Sequence, residues 1–138
     1  MFFLPVNIWG VLFSTISSVV IGFLWYSPIL FGTQWKKLTN GSSKKTTKPS
    51  NYIVYRYSAN FLATFVMMYV FAQVIGLTLM TTTFEGAVMG AIIWLGFVAT
   101  AMVNMVLFEN KSWALFFINS CYYLACLVVS GVILTIWI

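Results

Sequence analysis

Four apolar runs, each long enough to cross a bilayer and each closed by a polar segment, constrain this chain more than any motif does. A spanning helix needs about 20 apolar residues to cross a hydrocarbon layer roughly 30 Å thick. Runs of that kind cover about 6–31, 57–79, 86–108 and 113–137. With 62% hydrophobic and 7% charged residues over 138 positions, the chain has more apolar surface than a soluble domain of this length buries. The expected fold is an all-α membrane protein with four transmembrane helices in a single domain over 1–138, and the lipid bilayer as its first partner.

Charge then sets the orientation. Seven Lys and Arg against two acids give a net charge of +5, and all but Lys111 of the seven lie between Lys36 and Arg56. In a nucleic-acid binder such charge would point to phosphate contacts; here it belongs to one Lys-, Ser- and Thr-rich segment, about 36–56, which reads as a flexible loop and as an orientation signal beside an anionic leaflet, so no nucleic-acid partner is expected. Basic loops stay cytoplasmic. With Lys111 in the third loop and no basic residue in the second, both termini are predicted on the outer side, N-out and C-out. Met1-Phe2-Phe3-Leu4 lacks the basic start of a secretory signal, so the first run is expected to be retained. The triplets at Asn40 and Asn110 match the glycosylation pattern but fall on the predicted cytoplasmic side.

The end of the first run is the most irregular apolar stretch: Gly22-Phe23-Leu24-Trp25-Tyr26-Ser27-Pro28-Ile29-Leu30-Phe31-Gly32. Pro28 has no N–H to donate to Leu24 and crowds its carbonyl, which predicts a kink or break at Ser27-Pro28. Ile29 to Trp35 would then lie along the inner interface. Trp35, Lys36 and Lys37 would anchor it there, as Trp113 and Trp137 would anchor the two ends of the fourth span.

Small residues mark where helices approach closely. Gly10, Ser14, Ser18 and Gly22 recur every four positions in the first span, and Gly86 and Gly90 open the third. The partner of Gly86 and Gly90 is either the ridge of the first span or a second copy of the chain. A weak internal echo pairs Gly22-Phe23 and Leu30-Phe31 with Gly96-Phe97 and Leu107-Phe108, which allows two related two-helix units in parallel.

The chemistry available is narrow. The sequence has no His, and its two carboxylates, Glu85 and Glu109, stand at helix ends. Nucleophilic catalysis needs a base beside the nucleophile, and a metal site needs a cluster of His, Cys or carboxylate groups. The chain is therefore expected to be no enzyme, with no catalytic set, metal or cofactor. Cys121 and Cys126 point about 140° apart on a helix and cannot pair with each other. No span carries a carboxylate for proton coupling. The neutral polar residues remain: Tyr26, Ser27, Asn60, Thr100, Asn104, Asn119 and Tyr122 form a candidate polar pocket, with Asn60, Asn104 and Asn119 expected in the cytoplasmic half at similar depth to Tyr26 and Ser27, or else serve as hydrogen-bonding joints between helices. Glu109 and Arg56 are placed to pair at the cytoplasmic surface.

The Trp25-Tyr26-Ser27-Pro28 element with Leu30-Phe31-Gly32 and Trp35 resembles a bacterial family of small membrane proteins, domain of unknown function 1761. So do Asn7, Trp9, Gly96-Phe97-Val98-Ala99, Leu107-Phe108-Glu109 and Phe117-Ile118-Asn119 with Tyr122. The resemblance implies a multi-pass protein of the bacterial inner (cytoplasmic) membrane and assigns no activity. Two functions follow from the residues. One is an oligomeric bundle that binds or permeates a small solute or ion through neutral polar residues. The other is an accessory subunit packed in a larger membrane complex. A third reading docks the Lys-rich loop on anionic lipid or an acidic protein.

Overall fold

The computed structural model describes residues 4–39 and 51–137, and among these every regular element is helical. In chain order these are α1 (Ile8–Trp25), α2 (Gly32–Thr39), α3 (Asn51–Leu77), α4 (Thr83–Ile93), a π-helical segment (Trp94–Ala99), α5 (Thr100–Phe108) and α6 (Trp113–Ile136). Helix α4, the π segment and α5 run on as one span, so four spans are long and apolar enough to cross a membrane. The protein is a multi-pass integral membrane protein.

The helix ends follow local chemistry. The Asn7 side chain accepts from Trp9 N–H and caps α1. The third span begins at Thr83, three residues earlier than its apolar run. There the Thr82 hydroxyl accepts from Glu85 N–H, and the Glu85 carboxylate accepts from Thr81 and Thr82 N–H, closing a capping box. The Ser112 hydroxyl caps α6 in the same way through Leu115 N–H. Helix α3 starts at Asn51, six residues before the apolar run, with Arg56 over the Tyr52 ring at 5.8 Å. Arg56 and Glu109 form no ion pair among the described residues. The basic segment expected over 36–56 is thus helical as far as Thr39 and again from Asn51. Its centre, with Lys44, Lys45 and Lys48, lies outside the described residues.

Helix α6 is the hub, in contact with α1, α2, α3, α4, α5 and the π segment. The core joins Val11, Met68, Phe71, Ala72, Ile75, Cys126, Leu127 and Leu134. Against α1, each step of four is answered by a step of four back along α6: Gly10 with Leu134, Ser18 with Cys126, Gly22 with Tyr122. That register sets Ser14 opposite Ser130, and both side chains are wholly buried. The predicted small ridge of α1 therefore faces α6, where a Cβ on Gly10 would come within 2.9 Å of Trp137 Cβ.

Gly86 and Gly90 also pack on α6 rather than on α1: an added Cβ on either would strike the carbonyl of Gly131 or Leu127. Glycine on both sides lets two backbones touch, a closer approach than the Ser-containing ridge of α1 permits. The Phe13 and Trp137 rings stack at 5.1 Å, which sets the start of α1 and the end of α6 at one end of the bundle. Lys36, Lys37, Arg56 and Lys111 belong to the other end.

Candidate functional site

The first span stops at Trp25, six residues short of its apolar run, and the reason is Pro28. The Leu24 carbonyl, which a helix would have paired with residue 28, accepts instead from Ser27 N–H at 3.3 Å and from the Ser27 hydroxyl at 2.6 Å. The chain then folds back: Phe31 N–H donates to Trp25 O at 3.0 Å and Gly32 N–H to Ser27 O at 2.9 Å. Gly32 is required, because a Cβ there would collide with the Tyr26 carbonyl. Helix α2 follows at once, with Trp35 half-buried and Lys36 and Lys37 exposed.

This elbow aims Trp25 and Tyr26 at α6. Trp25 Nε1 donates to Ile118 O at 2.9 Å, and the Tyr26 hydroxyl donates to Asn119 Oδ1 at 2.8 Å. One turn further on, the Tyr122 hydroxyl donates to Ser18 O at 3.1 Å. The Tyr26 ring lies 5.5 Å from Tyr122 and 5.6 Å from Trp35, an edge-on contact in the second case. Tyr26, Asn119 and Tyr122 therefore come together, with Ser27 in the turn beside them, but the two tyrosine hydroxyls and the Asn119 amide oxygen are engaged in joining α1 to α6.

The other three members of the candidate pocket stand elsewhere. Asn60, Thr100 and Asn104 are exposed on the outside of the bundle. Helix α3 has no buried residue before Thr64, so Asn60 has left the core. Helix α5 has none at all. The Thr100 hydroxyl donates to Gly96 O at 2.8 Å, whereas the Asn60 and Asn104 side chains make no hydrogen bond among the described residues. Gly96 has no atom within 4 Å of where a Cβ would stand. The seven residues thus divide into an internal joint on the face of α6 that meets α1 and outward polar residues, Asn60 on α3 and Thr100 and Asn104 on the third span, on faces that no helix covers. Two surface clefts, of about 420 Å³ beside Leu4, Ala72 and Trp137 and about 490 Å³ beside Pro28, Thr33 and Lys36, involve none of the seven.

Two contacts, and one set of buried hydroxyls, had no expectation behind them. The buried Gln73 amide clasps the backbone of Leu4, accepting its N–H at 2.8 Å and donating to its carbonyl at 3.0 Å. Trp94 Nε1 donates to Ser120 O at 2.6 Å. The hydroxyls of Ser14, Ser120 and Ser130 are buried without a partner among the described residues. A tryptophan in mid-span, away from the aromatic belts, was the available signal for the second, since a buried indole N–H seeks an acceptor.

Chemically, the described residues bring no three His, Cys, Asp or Glu side chains together. Glu85 is occupied as a helix cap, and Cys121 and Cys126 are both free thiols. What the surface offers is neutral hydrogen bonding at membrane depth.

A family model described as protein of unknown function (DUF1761) matches residues 9–135 of the chain. No curated protein and no solved structure matches it.

Proposed function

The chain belongs to the DUF1761 family of proteins of unknown function, and from that premise we propose a non-enzymatic assembly role in the bacterial cytoplasmic membrane. The bundle joins another polypeptide through the outer face of its third span. Its basic end, with Lys36, Lys37 and Lys111, faces the cytoplasm, and its termini face outward.

One observation carries this reading. In its apolar window the third span is 6% buried, against 28%, 33% and 39% for the others, yet it holds Thr100 and Asn104 on its exposed side. A lipid-facing helix gains nothing from an amide, whereas a helix joined to another helix gains about 1 kcal/mol from each interhelical hydrogen bond. The same stripe is where a small solute or ion would be bound or passed, between polypeptides, since Tyr26, Asn119 and Tyr122 are engaged within one bundle. An accessory subunit of a larger complex would use the same face.

The test is oxygen accessibility of a nitroxide in lipid vesicles, with Cys121 and Cys126 replaced by alanine. A label replacing Phe97, beside the stripe and 73% exposed in the single bundle, should be shielded relative to one replacing Val20, 50% exposed on α1. Equal, lipid-like accessibility at both, in these vesicles and in native membranes, would remove the assembly role.

A further inference from the structure

Resting on assembly through the third span, we propose that the covering polypeptide is a second copy of this chain. The two copies pack α5 against α5 about a two-fold axis along the membrane normal, and Asn104 hydrogen-bonds to Asn104.

The membrane makes the symmetry simple. All copies of a chain share one orientation in the bilayer, so two copies joined through the same face have parallel α5 helices. Each residue then meets its own equivalent at the same depth. Such a joint needs a group that complements itself. A carboxylate or an ammonium would repel its twin, but an amide has two donors and one acceptor oxygen, so two of them form a reciprocal pair of N–H···O bonds. Asn104 is that group: exposed and without a hydrogen bond among the described residues.

Its surroundings suit close approach. Gly96, Thr100 and Asn104 repeat every four residues on the exposed side. No atom of the bundle covers the Gly96 backbone within 4 Å of a Cβ position, and the Thr100 hydroxyl is already satisfied by Gly96 O. Asn104 is thus left as the group on this stripe with unmet hydrogen-bonding capacity.

Depth argues against a head-to-tail ring. Such a ring would pair Asn104 with a different polar group at its own level, and within the apolar runs of the described residues Asn60 is the other exposed amide without a hydrogen bond. The Phe23–Tyr57 ring contact at 5.9 Å and the Leu4–Gln73 clasp fix α3 antiparallel to α1. Asn60 then lies about one turn inward of Tyr57, level with the part of α1 that precedes the Gly22–Tyr122 contact, whereas Asn104, about four turns beyond the Gly90–Leu127 contact on a span antiparallel to α6, stands level with the start of α6 near Trp113. Amides at different depths in copies that share a membrane plane do not meet.

The experiment is native mass spectrometry from lipid nanodiscs over a dilution series, with disulfide trapping in vesicles. The wild-type protein should be a dimer, Asn104→Leu should weaken it about tenfold, and Asn104→Gln should keep it. With Cys121 and Cys126 replaced by alanine, Thr100→Cys should trap dimers under mild oxidation. Val70→Cys, on the exposed side of α3, should not. The trapping arm remains decisive if Asn104→Leu fails to fold. A dimer indifferent to Asn104→Leu, or trapped equally at both cysteines, overturns the proposal. A monomer whose Phe97 label is still shielded in native membranes overturns the second copy but keeps assembly through the third span. A monomer with that label open to oxygen overturns both.

Discussion

The Tyr26 hydroxyl donates to Asn119 Oδ1 across 2.8 Å, although the two residues lie 93 positions apart in the chain. That bond, with Trp25 Nε1 on Ile118 O, ties the elbow after the first span to the start of α6. It makes the most distinctive stretch of the sequence a joint between helices.

A double-mutant cycle measures the joint. Tyr26→Phe leaves Asn119 Oδ1 without its donor and should cost about 1 kcal/mol, as should Asn119→Leu. The two should be coupled by about 0.5–1 kcal/mol when unfolding is followed in mixed micelles. Strictly additive losses would mean that the bond contributes nothing.

Gly131 should tolerate no side chain. Its Cβ position is occupied by the Gly86 carbonyl, so Gly131→Ala forces α4 away from α6 and should destabilise the bundle by about 2 kcal/mol, in the range of overpacked cores. Gly96→Ala, with nothing within 4 Å, should leave the stability of the isolated bundle within about 0.5 kcal/mol of wild type. Thermal unfolding of both variants in detergent checks the contrast, which equal losses would refute.

The elbow should depend on Gly32 more than on its neighbours. Gly32→Ala drives a Cβ into the Tyr26 carbonyl and should lower stability by more than about 1 kcal/mol, while Thr33→Ala, at an exposed position, should be near neutral. Cysteine accessibility at Trp35 should rise with the loss of Gly32, as α2 leaves its place against Tyr26. No difference between the two variants would put the turn's stability elsewhere.

The four spans and the break near Pro28 were legible because they rest on covalent or compositional facts: the length of an apolar run and a missing N–H. The close packing of Gly86 and Gly90 was legible as a four-residue spacing. Its partner was not, since Gly131 is a lone glycine in a long apolar helix. The polar residues were hardest. In water, a polar side chain marks the outside of a helix; in a membrane, both faces are apolar and an amide on its own does not say which way it points. Asn119 turned inward to Tyr26 while Asn104, with the same side chain and similar neighbours, turned outward. The direction of each follows from which face of its helix meets another helix, which is a tertiary property. Gln73 shows the same limit, because its partner is the backbone of Leu4, which any residue would supply.

The measurement that bears most directly on the central claim is the oxygen accessibility of a nitroxide replacing Phe97 in native membranes, read against one replacing Val20. Assembly through the third span predicts a label at 97 well shielded from oxygen, and exposed again when Asn104 is replaced by leucine. A label at 97 as open to oxygen as that at 20, with and without Asn104, would contradict it.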